Sequence, residues 1–411
     1  MFDMSKWVRL PSPLRRARFR RLWLSMSASY AGDRLQQLAQ GWLVATLTDA
    51  TGFQSTAVGA LNVLGSLPLL LSPLGGVIAD QVDRRRILVL GQLAGALSTG
   101  IVTALVFADK IAIWHLYGWA FVNGLIVLVC RPSYKVAVTE SVPVDEARSA
   151  VAINSMGETL AMVAVNAGGS LVLGLAGMPV AFVANTATYL VAAASVWSLR
   201  ALGGGQAQVE GKLAFKRLWP DLQAGAVYLW RQPGLLTPLA LTFATLVAIS
   251  PSGGLLAAIV HAQEGTIVDL GLLGASFSVG AFLGAGYAGA RGAGRSPVRR
   301  YALLALVAAA ALALFALLPI GLHSALPLAV LGFIAFAEAV WNTSRVRQLA
   351  ELAYQARVQS FTSMAFTLSF PLGSLWGGRA IDRFGVRALL GGAAALALFA
   401  VVSTLVARRS E

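Results

Sequence analysis

The chain has 411 residues, 57% of them hydrophobic and only 12% charged, with 42 glycines and a mean hydropathy of +0.71. Soluble domains carry about 25% charged residues, so a single aqueous core cannot hide this much apolar surface, whereas a lipid bilayer can. The formal charge of +14 does not mark a nucleic-acid partner, because the Lys and Arg residues fall in short loops between apolar runs.

In chain order, the basic segment from Arg15 to Arg21 leads into an apolar run of about 27 residues, too long for the core of a cleavable signal peptide. The first span is therefore expected to stay in the membrane. Mainly apolar stretches of about 20 residues predict spans near 21–48, 54–79, 87–108, 112–131, 150–173 and 177–199. A flexible linker follows, Gly203-Gly-Gly-Gln-Ala-Gln. From Leu213-Ala-Phe-Lys-Arg-Leu-Trp219 to Trp230-Arg231, basic residues mix with Trp, Phe and Leu, as in an amphipathic helix lying on a lipid surface, and Pro233 ends it. Further spans are predicted near 235–260, 267–290, 300–319, 324–342, 358–378 and 386–407. The expected fold is an all-α membrane protein of twelve transmembrane helices. An N-terminal six-helix bundle over 1–200 and a C-terminal one over 235–411 are joined by the linker 201–234, around a central cavity.

Orientation follows from the basic residues alone. With a cytoplasmic N-terminus, 27 of the 32 Lys and Arg residues lie on the cytoplasmic side. Only Lys110, Arg379, Arg383 and Arg387 fall opposite, and Arg34 lies inside span one. Both termini are thus expected in the cytoplasm of a bacterial inner membrane. The halves also echo each other: Asn154-Ser-Met-Gly-Glu-Thr running to Gly168-Gly169-Ser170-Leu171 answers to Ser363-Met-Ala-Phe-Thr running to Gly373-Ser374-Leu375. Parallel six-span repeats with a ligand site between them are a transporter plan.

Ionisable residues at bilayer depth cost at least about 2.5–3.5 kcal/mol each and ask for a reason. Span one carries Asp33, Arg34, Gln36, Gln37 and Gln40, and helical periodicity puts 33, 36, 37 and 40 on one face. At 1.5 Å per residue Asp33 lies about 18 Å deep, which makes it a candidate for proton titration or cation binding. A fixed ion pair to Arg34 or to an Arg on a neighbouring span is the bland alternative, although adjacent residues point about 100° apart. Glu158 in span five, with Asn154 and Asn166 at helical spacing, reads either as part of the substrate path or as a polar core within one half. Glu338 and Asn342, one turn apart in span ten, are candidates for substrate contact or for pairing with a nearby Arg. His115, His261 and His323 are expected at the membrane interface. Lone Cys130 and the dispersed histidines exclude an internal disulfide, a multi-cysteine zinc site and a CxxC redox pair, so neither metal nor cofactor is expected. GxxxxGK[ST], HExxH and GxSxG patterns are missing, which argues against direct use of ATP and against enzyme chemistry.

The loop after span two reads Gly76-Val-Ile-Ala-Asp80-Gln-Val-Asp83-Arg84-Arg85-Arg86-Ile-Leu88. It resembles the signature loop of the major facilitator superfamily, with Gly76, Asp80, Arg84, Arg85 and Leu88 at the family's positions, Gln81 in place of a common Arg and Asp83 in place of a common Gly. Arg20-Arg-Leu-Trp23, Leu71-Ser-Pro-Leu-Gly75-Gly76, the loop from Glu140 to Arg148, and Arg231-Gln-Pro233 resemble the drug and siderophore exporter branch that includes the enterobactin exporter. The resemblance implies alternating access by two rocking halves, with spans one, four, seven and ten lining the cavity, and proton or other monovalent-cation coupling. Gly76, Asp80, Arg84 and Arg85 then form a gating loop whose aspartate meets the start of span eleven near Gln359-Ser360. Two family features are absent: an Arg in span four, where Tyr117-Gly-Trp-Ala-Phe-Val-Asn-Gly124 stands, and a Gly-Pro pair in span five, where Val165-Asn166 stands. The expected partners are a small amphiphilic substrate, protons or another cation, and membrane lipid, with the chain acting as a monomer. A lysophospholipid-like substrate and a non-transporting scaffold or sensor are the alternatives.

Overall fold

The computed structural model describes residues 11–71, 75, 78, 82–199, 220, 223–291 and 297–410, and all regular structure in them is helical. The first half of the chain forms α1 (Ala17–Leu47), α2 (Gln54–Leu71), α3 (Arg84–Phe107), α4 (Ile113–Glu140), α5 (Val144–Ala176) and α6 (Pro179–Ser198). The second half forms α7 (Pro233–Gly254), extended by a short helix Leu256–Ala262, then α8 (Ile267–Arg291), α9 (Pro297–Leu317), α10 (Leu322–Leu349), α11 (Leu352–Phe384) and α12 (Leu389–Ser410). Among the described residues ten helices are long and apolar enough to cross a membrane, while α1 and α11, at 31 and 33 residues, are as long but more polar. Leu90, Leu97, Leu175, Leu303 and Leu398 stand exposed on the outside of the bundle, the pattern of side chains that meet lipid.

Several helices outrun the predicted spans. The expected stop at Arg131 is overrun by α4, which passes through Pro132 to Glu140, and α10 continues past Asn342 to Leu349. Hydropathy marks only the part of a helix inside hydrocarbon, and a 33-residue helix such as α11 is about 50 Å long against a core of about 30 Å. The extra turns carry polar groups, such as Lys135, Arg347 and Gln355, that belong in water. The predicted single span 235–260 is instead broken after Gly254, where Leu255 leaves helical geometry. A π-helical turn, Val165–Gly169, interrupts α5 where the sequence places Val165-Asn166. The linker stretch 201–219, with the first part of its expected amphipathic helix, lies outside the described residues, although residues 223–230 are helical.

Packing follows a repeated scheme. The pairs α1–α6, α3–α6 and α2–α4 in the first half have counterparts α7–α12, α9–α12 and α8–α10 in the second. Contacts between the halves run along α2–α11, α5–α8 and α1 with the short helix 256–262. The face where α1 starts, here called the terminal face, and the opposite far face differ in how the core is built. One apolar cluster draws residues from both halves, among them Ala57, Leu61, Leu241, Leu255 and Ala258. At the terminal face the cores are separate: one cluster holds only first-half residues such as Phe19, Leu88 and Val138, and another only second-half residues such as Leu235, Val346 and Val358. Among the described residues, apolar contact therefore joins the halves toward the far face and lapses toward the terminal one.

The α8–α10 pair meets backbone to backbone, as small residues allow in membrane helices. A Cβ on Gly284 would stand 2.1 Å from the Phe333 carbonyl oxygen, and one on Gly332 2.1 Å from that of Phe277. Gly284→Val is expected to cost about 1–3 kcal/mol by overpacking and to lower the thermal unfolding midpoint of the purified protein. Gly286→Val, at a glycine with open space around it, should leave that midpoint unchanged.

Candidate functional site

The polar residues of α1 divide between two directions. Asp33 Oδ1 accepts hydrogen bonds from the Tyr189 hydroxyl and from Asn185 Nδ2 at 3.2 Å, both on α6. Asn185 Nδ2 also donates to Gln36 Oε1 at 2.7 Å, Asn123 Nδ2 of α4 donates to the Tyr189 oxygen at 2.9 Å, and Gln40 Nε2 donates to the Leu116 carbonyl at 3.1 Å. Asp33 and Gln36 thus share one network inside the first half, and Gln40 bonds separately to α4 of the same half. Arg34 and Gln37 point elsewhere: Arg34 Nη1 donates to Gln37 Oε1 at 3.0 Å and its guanidinium lies 4.8 Å from the Tyr30 ring centroid. One turn on from Gln37, Gly41 packs on Ala257 of the second half. The expectation of a single polar face with 33, 36, 37 and 40 is corrected here. Steps of three, four and seven residues define two adjacent stripes about 100° of rotation apart, one toward α6 and one toward the second half. The tight Asp33–Arg34 ion pair gives way to the same division.

Glu158 is likewise tied within the first half, accepting from Asn154 Nδ2 at 2.9 Å while the Tyr134 hydroxyl donates to Asn154 Oδ1 at 2.5 Å. Of the gating loop, Gly76 and Asp80 lie outside the described residues. Arg84 pairs with Glu140 at the end of α4, and Arg85 donates to the Trp197 carbonyl and stacks over its ring at 4.9 Å. Asp83 caps α3 by accepting from Arg85 N at 2.8 Å. These basic residues therefore fasten the start of α3 to α4 and α6.

Between the halves, toward the terminal face, lies a cavity of about 310 Å³ with walls from α4, α7, α10 and α11. Arg131 and Lys135 supply its charge, Phe243 and Phe366 its aromatic surface, and Thr242, Asn342 and Gln359 its hydrogen-bonding groups. Asn342 Nδ2 donates to Thr242 Oγ1 at 2.7 Å. One turn before Asn342, Glu338 is fully buried behind this wall; neither carboxyl oxygen has a well-formed hydrogen bond, the Thr242 hydroxyl lying beside it. The guanidinium of Arg345, a nearby Arg on the same helix, donates to the Gly234 carbonyl at 2.6 Å instead of pairing with Glu338.

Toward the far face the halves are held by polar contacts that sequence reading passed over. Asp382, near the end of α11, accepts from Ser55 N at 2.9 Å and Thr56 N at 2.8 Å. Asn62 Nδ2 of α2 donates to the Gly254 carbonyl at 2.7 Å, and Asn166 Nδ2 of the π turn donates to Ser278 Oγ of α8 at 2.8 Å. His261 Nδ1 lies 3.8 Å from Asp49 and its ring packs edge-on against Trp42, at the end of a span as expected. A detectable signal existed for Asn62, Asn123 and Asn185: each is a lone amide in an apolar run.

Residues 9–410 match the family of transmembrane secretion effectors, a branch of the major facilitator superfamily, and the chain belongs to it. It is a multi-pass membrane transporter and not an enzyme. No curated protein matches by sequence. The fold is similar to that of a mutant of the peptide transporter POT in complex with sulfate (TM-score 0.70, 14% identity, 94% of each chain covered). It is also similar to a bacterial homolog of the human lysosomal transporter Spinster in an inward-facing, unoccupied conformation (TM-score 0.65, 16% identity, 94% and 96% covered). A third similar structure is the nucleoside transporter NupG (TM-score 0.65, 13% identity, 94% and 98% covered). At these identities the likeness is one of fold.

Removing the phenolic donor leaves Asp33 short of a partner in a buried site. Tyr189→Phe is expected to cost about 1–3 kcal/mol, read as a lower thermal unfolding midpoint of the purified protein.

Proposed function

We propose that this transporter is a secondary active exporter of small amphiphilic compounds, of the drug or siderophore-like kind, working by alternating access. In this reading twelve spans form two six-helix halves, 1–200 and 235–411, joined by the linker 201–234, and a monomer sits in a bacterial inner membrane with both ends in the cytoplasm. The observation that carries the reading is the cavity between α4, α7, α10 and α11, on the terminal side of a seam closed by hydrogen bonds. A passage open at one end and closed at the other is what alternating access requires. Membership among secretion effectors favours outward transport.

The wall chemistry supports an amphiphile with an anionic end. Phe243 and Phe366 offer apolar surface, while Arg131 and Lys135 are the charged residues that line the cavity. For coupling, geometry favours Glu338 over Asp33. Asp33 holds two hydrogen-bond donors in a structural network. Glu338 is buried with its oxygens poorly satisfied, separated from the cavity by Thr242 and Asn342. An uncompensated carboxylate there would cost several kcal/mol, so a proton or cation arriving through the Thr242–Asn342 wall has a clear effect on the site.

Reconstituted vesicles with an imposed pH gradient test this with anionic and neutral amphiphilic dyes. Glu338→Gln should reduce gradient-driven accumulation about tenfold or more while leaving dye exchange in the absence of a gradient. Asp33→Asn should keep its response to the gradient. A normal gradient response in a well-folded Glu338→Gln protein would remove Glu338 from coupling. Arg131→Gln combined with Lys135→Gln should weaken transport of the anionic dye several-fold and spare the neutral one.

A further inference from the structure

The loop pattern at 75–80 occurs a second time in the chain. Gly75-Gly76-Val-Ile-Ala-Asp80 reappears as Gly377-Gly378-Arg-Ala-Ile-Asp382, and the same offsets bring Arg85 and Leu88 in the first copy, Arg387 and Leu390 in the second. The second copy does not follow span eight, where a six-span repeat would put it, but ends α11. We infer that Asp382 is a gating residue: it is the latch of the far-face gate, holding α11 of the second half to the start of α2 of the first.

The geometry is that of a carboxylate on a helix N-terminus. Both oxygens are used, Oδ1 by Ser55 N and Oδ2 by Thr56 N. These two amides belong to the first turn of α2, where backbone N–H groups have no partner within their own helix and the helix dipole favours an anion. Asp382 itself sits in the last turns of α11, the end of a helix where an anion is disfavoured. Its own helix therefore gives no account of an acid at this position, and the neighbouring helix does. The approach also needs a small residue one turn earlier, since a Cβ on Gly378 would stand 2.8 Å from the Ser55 carbonyl oxygen and 3.0 Å from Thr56 Cα. Farther along the same seam, Asn62 of α2 lies against Gly254 and Ser374, so the two helices run antiparallel.

Antiparallel packing gives the repeat its meaning. The family resemblance implies that Asp80, after α2, meets the start of α11, and in this structure an acid at the end of α11 meets the start of α2 at the far face. Each contact stabilises only the state in which its own face is closed, so the two latches oppose each other. Similar chemistry at both ends keeps the two states close in free energy, which a transporter that must visit both requires. In this structure the far-face latch is made.

The proposal rests on the alternating-access reading, and its test needs neither substrate nor gradient, so the two can fail separately. Ala257 is buried in the far-face seam against Gly41. In a Cys130→Ser background, Ala257→Cys reports seam opening through its rate of alkylation by a water-soluble maleimide, with the protein in lipid nanodiscs. Asp382→Asn should raise that rate about tenfold, the scale of a charge lost from a partly buried helix terminus. Gly378→Val, which leaves the carboxylate but wedges α2 from α11, should raise it as well. Arg383→Gln, a neighbouring change that spares the latch, should leave it unaltered. Rates within about twofold of the parent in both latch variants, with the protein monodisperse, would overturn the inference, as would an equal increase in Arg383→Gln.

Discussion

The structure depends on one constraint: in hydrocarbon no water is available to hydrogen-bond a polar group, so the chain must supply every partner itself. For the backbone this leaves helices, and all described secondary structure is helical. For side chains it means that each polar residue placed in a span selects which helices can be neighbours. Asp33 and Gln36 require the amide of Asn185 and Asp33 also the hydroxyl of Tyr189, which fixes α1 against α6. Asn123 then brings α4 to the same cluster. Apolar packing alone would discriminate weakly among such helices, because lipid is as good a partner as another leucine. The polar network provides the specificity.

The same constraint separates rigid from movable contacts. Within the first half, the Asp33 cluster and the Tyr134–Asn154–Glu158 chain are connected side-chain networks, and opening them would strand several groups together. Between the halves the contacts are fewer and of another kind: Asp382 on two amides, Asn62 on a carbonyl, Asn166 on a hydroxyl. The amides of a helix end and the carboxylate that caps them can both return to water at the membrane surface at small net cost. Joined apolar cores on the far side and separate ones on the terminal side among the described residues agree with the proposed opening of the terminal face.

Much of the architecture was legible because it follows from hydropathy: a multi-spanning bundle of long apolar helices rests on long-range averages of composition, whereas the π turn at Val165–Gly169 had no such signal. Helix ends were less legible, since Arg131, Asn342 and Gln359 read as exits from the membrane while their helices continue along a water-accessible wall. The polar stripe of α1 was visible, but not its division. Hydrophobic periodicity gives the angle of a residue around its helix, and no single sequence says which neighbour occupies that angle. Asp382 escaped notice for a related reason. Next to Arg379, Arg383 and Arg387 it looks like part of a solvated loop, and its use appears only once α2 is known to begin beside it.

Glu338 shows why satisfied and unsatisfied polar groups carry different information. A carboxyl that gathers donors, as Asp33 does, has been given a fixed place, and the energy of its site is spent on architecture. A carboxyl buried beside a single hydroxyl, behind a wall that faces a cavity, stabilises nothing in the form seen and persists at a cost in folding free energy. The proposed function gives such a site a use in another state of the molecule. In an alternating-access cycle that state is the one in which the α7–α10 wall moves, and Thr242 and Asn342 are the groups whose rearrangement would admit water to Glu338. Under the proposed function, coupling would need no dedicated channel: the motion that turns the cavity from one face to the other would also open the acid to water.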